Sequence, residues 1–295
     1  MKSIAVIVTY NRKKLLLECI DSLEKQTEKK SLAILIIDNA STDGTEQELK
    51  PLIDAKRILY KNTGKNLGGA GGFEYGLLEV INDDYDYVWI MDDDTIPTAT
   101  ALEEFYAFAD ENPQFGFLSS YVKWTDGNTC TMNIPRKNIF KKLDSFDSEI
   151  IPIQYATFVS LFISMKRVRE LGVPIGEFFI WGDDWEYTRR ISQKYKSYLI
   201  MKSVVVHKTI HNQGCNIVND VKERIPRYVL YYRNNFYIAR KDGLNGYLYY
   251  FLKVIKDLIL VAIKSENNKR QRIHTIIKGF NDGIKFHPQI KKGKL

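Results

Sequence analysis

Three consecutive aspartates, Asp92, Asp93 and Asp94, stand directly behind the apolar run "YVWIM". Adjacent like charges repel, and ordering them beside a buried strand is costly unless a cation or hydrogen-bond donors compensate. One reading is a solvated acidic turn that caps a helix beginning near Thr98. The other is a metal site, because three further polar stations also follow apolar runs: Thr9 to Arg12, Asp38 to Asp43, and His207. Carboxylates with one imidazole suit a divalent cation, and the ligand implied is a metal-bound diphosphate. A second acid cluster, in "FFIWGDDWEYTRR" (178 to 190), offers a carboxylate that could accept a proton from an attacking hydroxyl. The same acids read equally well as the first turn of a helix, favoured by its dipole. The glycine-rich "GKNLGGAGGFEYG" (64 to 76) permits close backbone approach and opens a helix whose amides can face an anion. It lacks the Lys-Ser/Thr pair of a P-loop and the tight turn of a dinucleotide fingerprint, which argues against ATP or NAD.

The elements that would position these groups alternate along the chain. Strands are expected at 3 to 9, 32 to 38, 57 to 62 and 85 to 91, and helices between them at about 12 to 26, 41 to 52 and 71 to 81, with another at 98 to 110. Such alternation predicts an α/β fold whose mostly parallel, doubly wound sheet binds its ligand outside the carboxyl ends of the strands. From 114 to 165 the texture becomes strand-like around a polar loop, 123 to 148, expected as a lid or acceptor-side wall. A helix is expected over 184 to 194, a strand over 198 to 207, and helices over 221 to 241, 244 to 263 and 267 to 283.

Composition narrows the function classes. The chain has 295 residues, 44% of them hydrophobic, and its three cysteines, Cys19, Cys130 and Cys215, are too scattered for a disulfide framework or a cysteine metal site. Reduced thiols in a cytoplasmic protein are the expectation, and "MKSIAVIVTYNR" reads as a first strand and not as a signal peptide. Residues 251 to 295 hold 11 Lys or Arg against Asp257, Glu266 and Asp282, so the net charge of +7 belongs to the C-terminal segment. That distribution argues against a nucleic-acid groove in the main domain. It fits a basic module facing anionic lipid or a phosphorylated substrate, and equally a solvated helix face. "LYYFLKVIKDLILVAI" (248 to 263) is interrupted by Lys253, Lys256 and Asp257 before it is long enough to span a membrane. An interfacial position and internal helix packing both remain open for it.

Taken in order, "VIVTYNR", "IIDNASTDGT", "NLGGAGGF", "WIMDDDT", "FFIWGDDWEYTRR" and "VVVHK" resemble the inverting glycosyltransferases of family 2, in the branch that contains galactofuranosyltransferases and some rhamnosyltransferases. The similarity runs over residues 3 to 210. It implies a GT-A (Rossmann-like) fold over residues 1–215 with a C-terminal helical appendage over 216–295, and Mn²⁺ or Mg²⁺ as cofactor. Thr9, Tyr10, Arg12 and Asp38 would then serve the nucleotide, and Asn66, Gly68 and Gly69 the donor sugar nucleotide. Asp92 would contact the ribose and metal, Asp94 and His207 would ligate the metal, and Asp93 would help to hold the donor. Asp184 matches the catalytic base, with Asp183 and Trp181 as residues that bind or orient the acceptor. The implied partners are a nucleotide-sugar donor, with UDP-galactofuranose first and dTDP-rhamnose as the alternative, and a glycan or lipid-linked acceptor of cell-surface polysaccharide biosynthesis. An anionic membrane surface at the inner face of the plasma membrane is the further partner expected for the C-terminal region. "YATFVSLFISMK" (155 to 166) lacks the Trp-Trp pair associated with polymerising galactofuranosyltransferases, so a single or limited transfer is expected. The rivals are a nucleotidyltransferase, disfavoured by "TYNR" where a basic glycine loop belongs, and a sugar-binding module, for which the second acid pair would be superfluous.

Overall fold

The Ile- and Val-rich runs Ser3–Thr9 and Leu32–Asp38 form strands β1 and β2, and β1 is buried along its whole length. A strand covered on both faces has that composition. The computed structural model describes residues 1–214 and 216–293. Helix α1 (Lys13–Glu24) links the two strands, and α2 (Thr45–Asp54), β3 (Leu59–Asn62), α3 (Gly68–Val80) and β4 (Tyr87–Asp92) continue the alternation. After the acid triplet the chain forms the short β5 (Thr95–Pro97), then α4 (Ala101–Glu111), β6 (Phe117–Trp124), β7 (Ile150–Ile153), β8 (Leu161–Ser164), α5 (Met165–Leu171), α6 (Asp183–Ser192) and β9 (Ser197–His207).

The strands make one sheet in the order β3-β2-β1-β4-β8-β6-β9-β5, with β7 also on β9. Six of the nine described strands run the same way, and β5, β7 and β8 oppose them. The mostly parallel sheet expected from the alternation is therefore present. Its register aligns the carboxyl ends, pairing Thr9 with Asp38 and Val8 with Asp92. One apolar layer packs α3, α5 and α6 against the sheet through Val6, Ile37, Phe73, Leu77, Val168 and Tyr187. The other packs α1 and α4 on the opposite face around Leu16, Ile20, Trp89 and Phe105.

Three boundaries differ from expectation for local reasons. Helix α2 starts at Thr45 and not at Ser41, because Gly44 takes a left-handed φ of 84° and Asp43 accepts a hydrogen bond from the Thr45 amide (3.2 Å). Helix α3 starts at Gly68, so most of the glycine run is helical and not loop. Glycine is needed there for space: a Cβ on Gly72 would sit 2.4 Å from Val8, and one on Gly76 would sit 2.6 Å from Val6. Pro226 lies in a 3₁₀ turn, Lys222–Arg227, that delays the expected helix until Tyr228.

The C-terminal part consists of α7 (Tyr228–Lys241), α8 (Gly243–Lys264) and α9 (Lys269–Lys285). Its side chains interleave with the region before α6: Trp181 packs in the cluster of Tyr228 and Tyr232, and Phe178 with Tyr237 and Ile238. Arg189 of α6 is ion-paired with Asp242 in the α7–α8 turn and donates to the Lys241 carbonyl (2.6 Å). Cys19 and Cys130 are buried free thiols, and Cys215 lies outside the described residues. Among the described residues no helix is long and apolar enough to cross a membrane.

Candidate active site

Asp93 and Asp94 are 4% and 2% exposed, so the triplet is not a solvated turn. The compensating groups come from the end of β1. The Thr9 hydroxyl donates to Asp93 (2.7 Å), and the Arg12 guanidinium donates to Asp94 (2.6 Å) and Asp93 (3.4 Å). Arg12, expected in the nucleotide pocket, thus lies with its guanidinium on the acids, its side chain half exposed. Tyr10 is exposed beside it. Burial, only partly offset by Arg12 and Thr9, pushes Asp93 up to about 6. Burial and the neighbouring Asp94 charge push Asp92 up to about 7. Asp94 is also buried, but its contacts with His207 and Arg12 hold it below the usual carboxylate range. Asp38 is fully buried, accepting from the Ser41 amide (2.7 Å) and the Tyr60 hydroxyl (2.8 Å), and so fixes the turn beside β1.

His207 reaches the triplet because of β5. The chain leaves Asp94 into a three-residue strand antiparallel to β9, with Thr95 opposite His207. His207 Nε2 then lies 3.1 Å from Asp94 Oδ1. That oxygen is buried, and the imidazole Nε2 faces it. A cation there would take the place of the imidazole proton between the two groups. His207 Nδ1 donates to Asn133 Oδ1 (2.8 Å), which also accepts from the Cys130 thiol (2.9 Å). Holding Nδ1 as the donor turns Nε2 and its lone pair toward the acids, the arrangement that orients a metal-ligating imidazole. One ligand atom each from Asp92, Asp94 and His207 lies within 4.8 Å of the others. The residues fit a divalent cation. Burial lowers His207, but Asp94, Cys130 and the Asp92 charge outweigh it and push the imidazole up to about 10. The sequence reading missed Asn133 and Cys130, since neither their residue types nor their place in the 123–148 segment points to His207.

The glycine helix does not offer a free amide cradle at its start. The Gly68 amide donates to Asn66 (2.8 Å) and the Ala70 amide to the Phe179 carbonyl (3.2 Å). Gly68 is buried, and a Cβ there would lie 2.1 Å from that carbonyl, so the residue permits α3 to abut the 176–182 segment. Gly69 and Asn66 are exposed, and a Cβ on Gly69 would meet open space. These two hold the open side where a ligand can approach.

Asp183 and Asp184 begin α6, so the helix-start reading of these acids is satisfied. Asp184 also feels the charge of Asp92 in the first cluster. Burial pushes Asp183 up to about 6, and burial, Asp183 and the Asp92 charge raise Asp184 well above the usual carboxylate range. The preceding backbone is strained. Phe179, Trp181 and Gly182 have φ of 64°, 65° and 87°. Phe179, with ψ of −55°, forms a γ-turn in which the Ile180 amide donates to the Phe178 carbonyl (2.7 Å). That turn is rare and costs on the order of 1–3 kcal/mol per residue so held. Asn234 of α7, fully buried, donates to the carbonyls of Phe178 (3.0 Å), Ile180 (3.1 Å) and Trp181 (2.8 Å), and its Oδ1 accepts from Arg233 (2.9 Å). Asn234 was not singled out in the sequence, where it is one polar residue in a helical stretch.

Two measurements check this geometry. Cation binding must displace the proton of His207 and that of Asp92, both of which are held upward, so Mn²⁺ affinity measured calorimetrically should rise by at least about tenfold from about pH 6 to pH 8. Asn133→Leu should weaken Mn²⁺ binding about 10- to 100-fold; affinity independent of both pH and Asn133 would remove this ligand set. Asn234→Leu leaves three carbonyls short of a donor and frees the Phe179 turn, so turnover should fall by up to about 10²-fold while nucleotide binding stays near the unmodified level. Asn235→Ala is the control, because Asn235 donates only within its own helix, to Tyr231 (2.7 Å).

Comparison with known proteins bears on the family and the fold. Residues 4–166 match the family model described as glycosyl transferase family 2. The galactofuranosyltransferase GlfT1 of Mycolicibacterium smegmatis is 23% identical over 86% of this chain and 91% of its own length. GlfT1 of Mycobacterium tuberculosis is 27% identical over 63% of each chain. Among solved structures, S. aureus TarS 1–349 in complex with UDP-GlcNAc superposes with a TM-score of 0.57 at 13% identity, covering 95% of this chain and 91% of the other. GalNAc-T7 with UDP, GalNAc and Mn²⁺ gives 0.60 at 16% identity, over 71% of this chain and 44% of that one. The fold is GT-A, and the chain is a glycosyltransferase that belongs to glycosyl transferase family 2.

Proposed function

We propose that the protein is a metal-dependent inverting transferase that moves galactofuranose from UDP-galactofuranose to a hydroxyl of a glycan or lipid-linked saccharide in cell-surface polysaccharide synthesis, working in the cytoplasm at the inner face of the plasma membrane. The observation that carries this reading is the convergence of Asp92, Asp94 and His207, whose ligand atoms lie within 4.8 Å of one another at the carboxyl edge of the sheet, with the charge of Asp92 also adding to the raised proton affinity of Asp184 at the start of α6. The donor assignment draws on the likeness to GlfT1 and on the "NLGGAGGF" stretch.

In this reading Tyr10 and Asp38 serve the nucleotide, and Asn66, Gly69 and Asp93 face the donor, Gly68 setting the close packing that exposes them. Arg12, half exposed beside the triplet, is available to the diphosphate. Asp92, Asp94 and His207 hold Mn²⁺ or Mg²⁺, which when bound neutralises charge on the departing diphosphate. Asp184 accepts the proton of the acceptor hydroxyl, whose oxygen bonds to the anomeric carbon as the bond to the nucleoside diphosphate breaks on the opposite face. The raised proton affinity of Asp184 makes its ionised carboxylate a stronger proton acceptor. Asp183 and Trp181, the latter packed against Tyr228 (5.0 Å between ring centres), orient the acceptor.

Asp184→Asn should lower transfer about 10²- to 10⁴-fold and leave UDP binding intact. Transfer near the unmodified rate would sink the assignment of the base. A saturation-transfer screen of sugar nucleotides with Mn²⁺ tests the donor; preference for dTDP-rhamnose over UDP-galactofuranose would overturn that part alone.

A further inference from the structure

Helix α8 carries more apolar surface than the chain covers. Leu244, Leu248, Leu252, Ile255, Ile259 and Ile263 are each between 51% and 85% exposed. Their spacing of three and four residues puts them on one stripe. At 1.5 Å per residue the stripe is about 29 Å long. Helix packing is already satisfied from the opposite side, where Tyr250 and Val261 are buried and the Tyr250 hydroxyl donates to the Tyr232 carbonyl (3.2 Å). A soluble surface seldom leaves so continuous an apolar strip without a partner.

Charge selects among the occupants. The exposed charged side chains of α8 are Lys256 and Lys264, and Lys269 and Arg270 are exposed at the start of α9, with one exposed acid, Glu266, in the turn between the helices. The acid of α8, Asp257, is turned inward, accepting from the Tyr232 hydroxyl (2.8 Å) and from Lys253 (3.2 Å). Pairing this face with a second copy would set lysines against lysines, whereas an anionic bilayer meets both the apolar stripe and its basic flank. The helix is not apolar enough to cross a membrane. A helix of this kind lies in the plane of the interface.

We propose that α8 docks flat on an anionic membrane surface, its apolar stripe seated among the lipid chains and Lys256, which borders the stripe, at the phosphates. The inner side of the same helix faces the site region: Tyr249 packs on Phe140 (5.7 Å between ring centres), and Arg136 lies over both Tyr249 (5.8 Å) and Trp185 (4.9 Å), the neighbour of Asp184. Docking therefore places the wall beside the proposed base at the bilayer. The lipid-linked acceptor of the proposed function gives this docking its use, but vesicle binding is read without turnover, so either can fail alone.

The test is flotation of the full chain with vesicles of phosphatidylcholine, with and without phosphatidylglycerol. The unmodified protein should float with the anionic vesicles and much less with the neutral ones. The double variant Leu248→Glu, Ile255→Glu should lose at least about tenfold in binding, and Lys256→Glu should weaken it and its salt dependence. UDP binding by these variants should be unchanged, which confirms that they fold. Failure of the unmodified protein to float, or equal flotation of the double variant, overturns the proposal. Self-association in sedimentation that the double variant abolishes, without flotation, would assign the stripe to a second copy and overturn it as well.

Discussion

Two buried carboxylates, Asp93 and Asp94, sit side by side at the end of a central strand, and the rest of the site is arranged around that electrostatic cost. Neither is tolerable there without compensation. Asp93 is met by the Thr9 hydroxyl and the edge of Arg12, Asp94 by Arg12 on one oxygen, with His207 facing the other. These partners come from β1, the β1–α1 turn and β9, which are separated in sequence but converge at the carboxyl edge of one sheet. With the proton on His207 the imidazole meets Asp94 Oδ1, and without it that buried oxygen lacks a donor. A divalent cation would supply the positive contact in its place.

The carboxyl-edge convergence was legible because it depends on local pattern. β1, β2 and β4 are apolar runs of strand length with polar residues at their ends, and parallel register carries those ends to one place. What was not legible depends on how the chain turns between elements. β5 is three residues long, too short to show periodicity, yet it brings Thr95 opposite His207 and so completes the acid-histidine set. β7 and α5 are short in the same way. Asn133 and Asn234 were hidden for another reason. Each acts through a single side chain on a partner 74 or about 55 residues away, and no spacing rule reaches so far.

The glycine run shows the same division between pattern and packing. Read locally, it promises a backbone open to an anion. In the fold, Gly72 and Gly76 let α3 lie close on β1 and β2, and Gly68 lets its first turn abut the Phe179 carbonyl. The same carbonyl accepts from Ala70, so α3 and the segment that leads into Asp183 and Asp184 are one contact apart. Displacement of either changes the other.

This contact also explains why the C-terminal helices are not interchangeable with any other apolar cover. The backbone at Phe179 and Trp181 is held in conformations that L-residues avoid, and such strain persists only where the surroundings over-determine it. Asn234 and Arg233 of α7 donate to the carbonyls of Glu177, Phe178, Ile180 and Trp181 in that segment, and Arg189 of α6 is tied to Asp242 beyond the end of α7. The helix that carries the acids is thus clamped at its entry and again along its length by the same partner. For the base proposed at Asp184, flexible positioning would forfeit the orientation on which proton transfer depends, and rigidity at this point would serve that role. A helical part that served only to cover apolar surface would need no buried asparagine turned toward three backbone carbonyls.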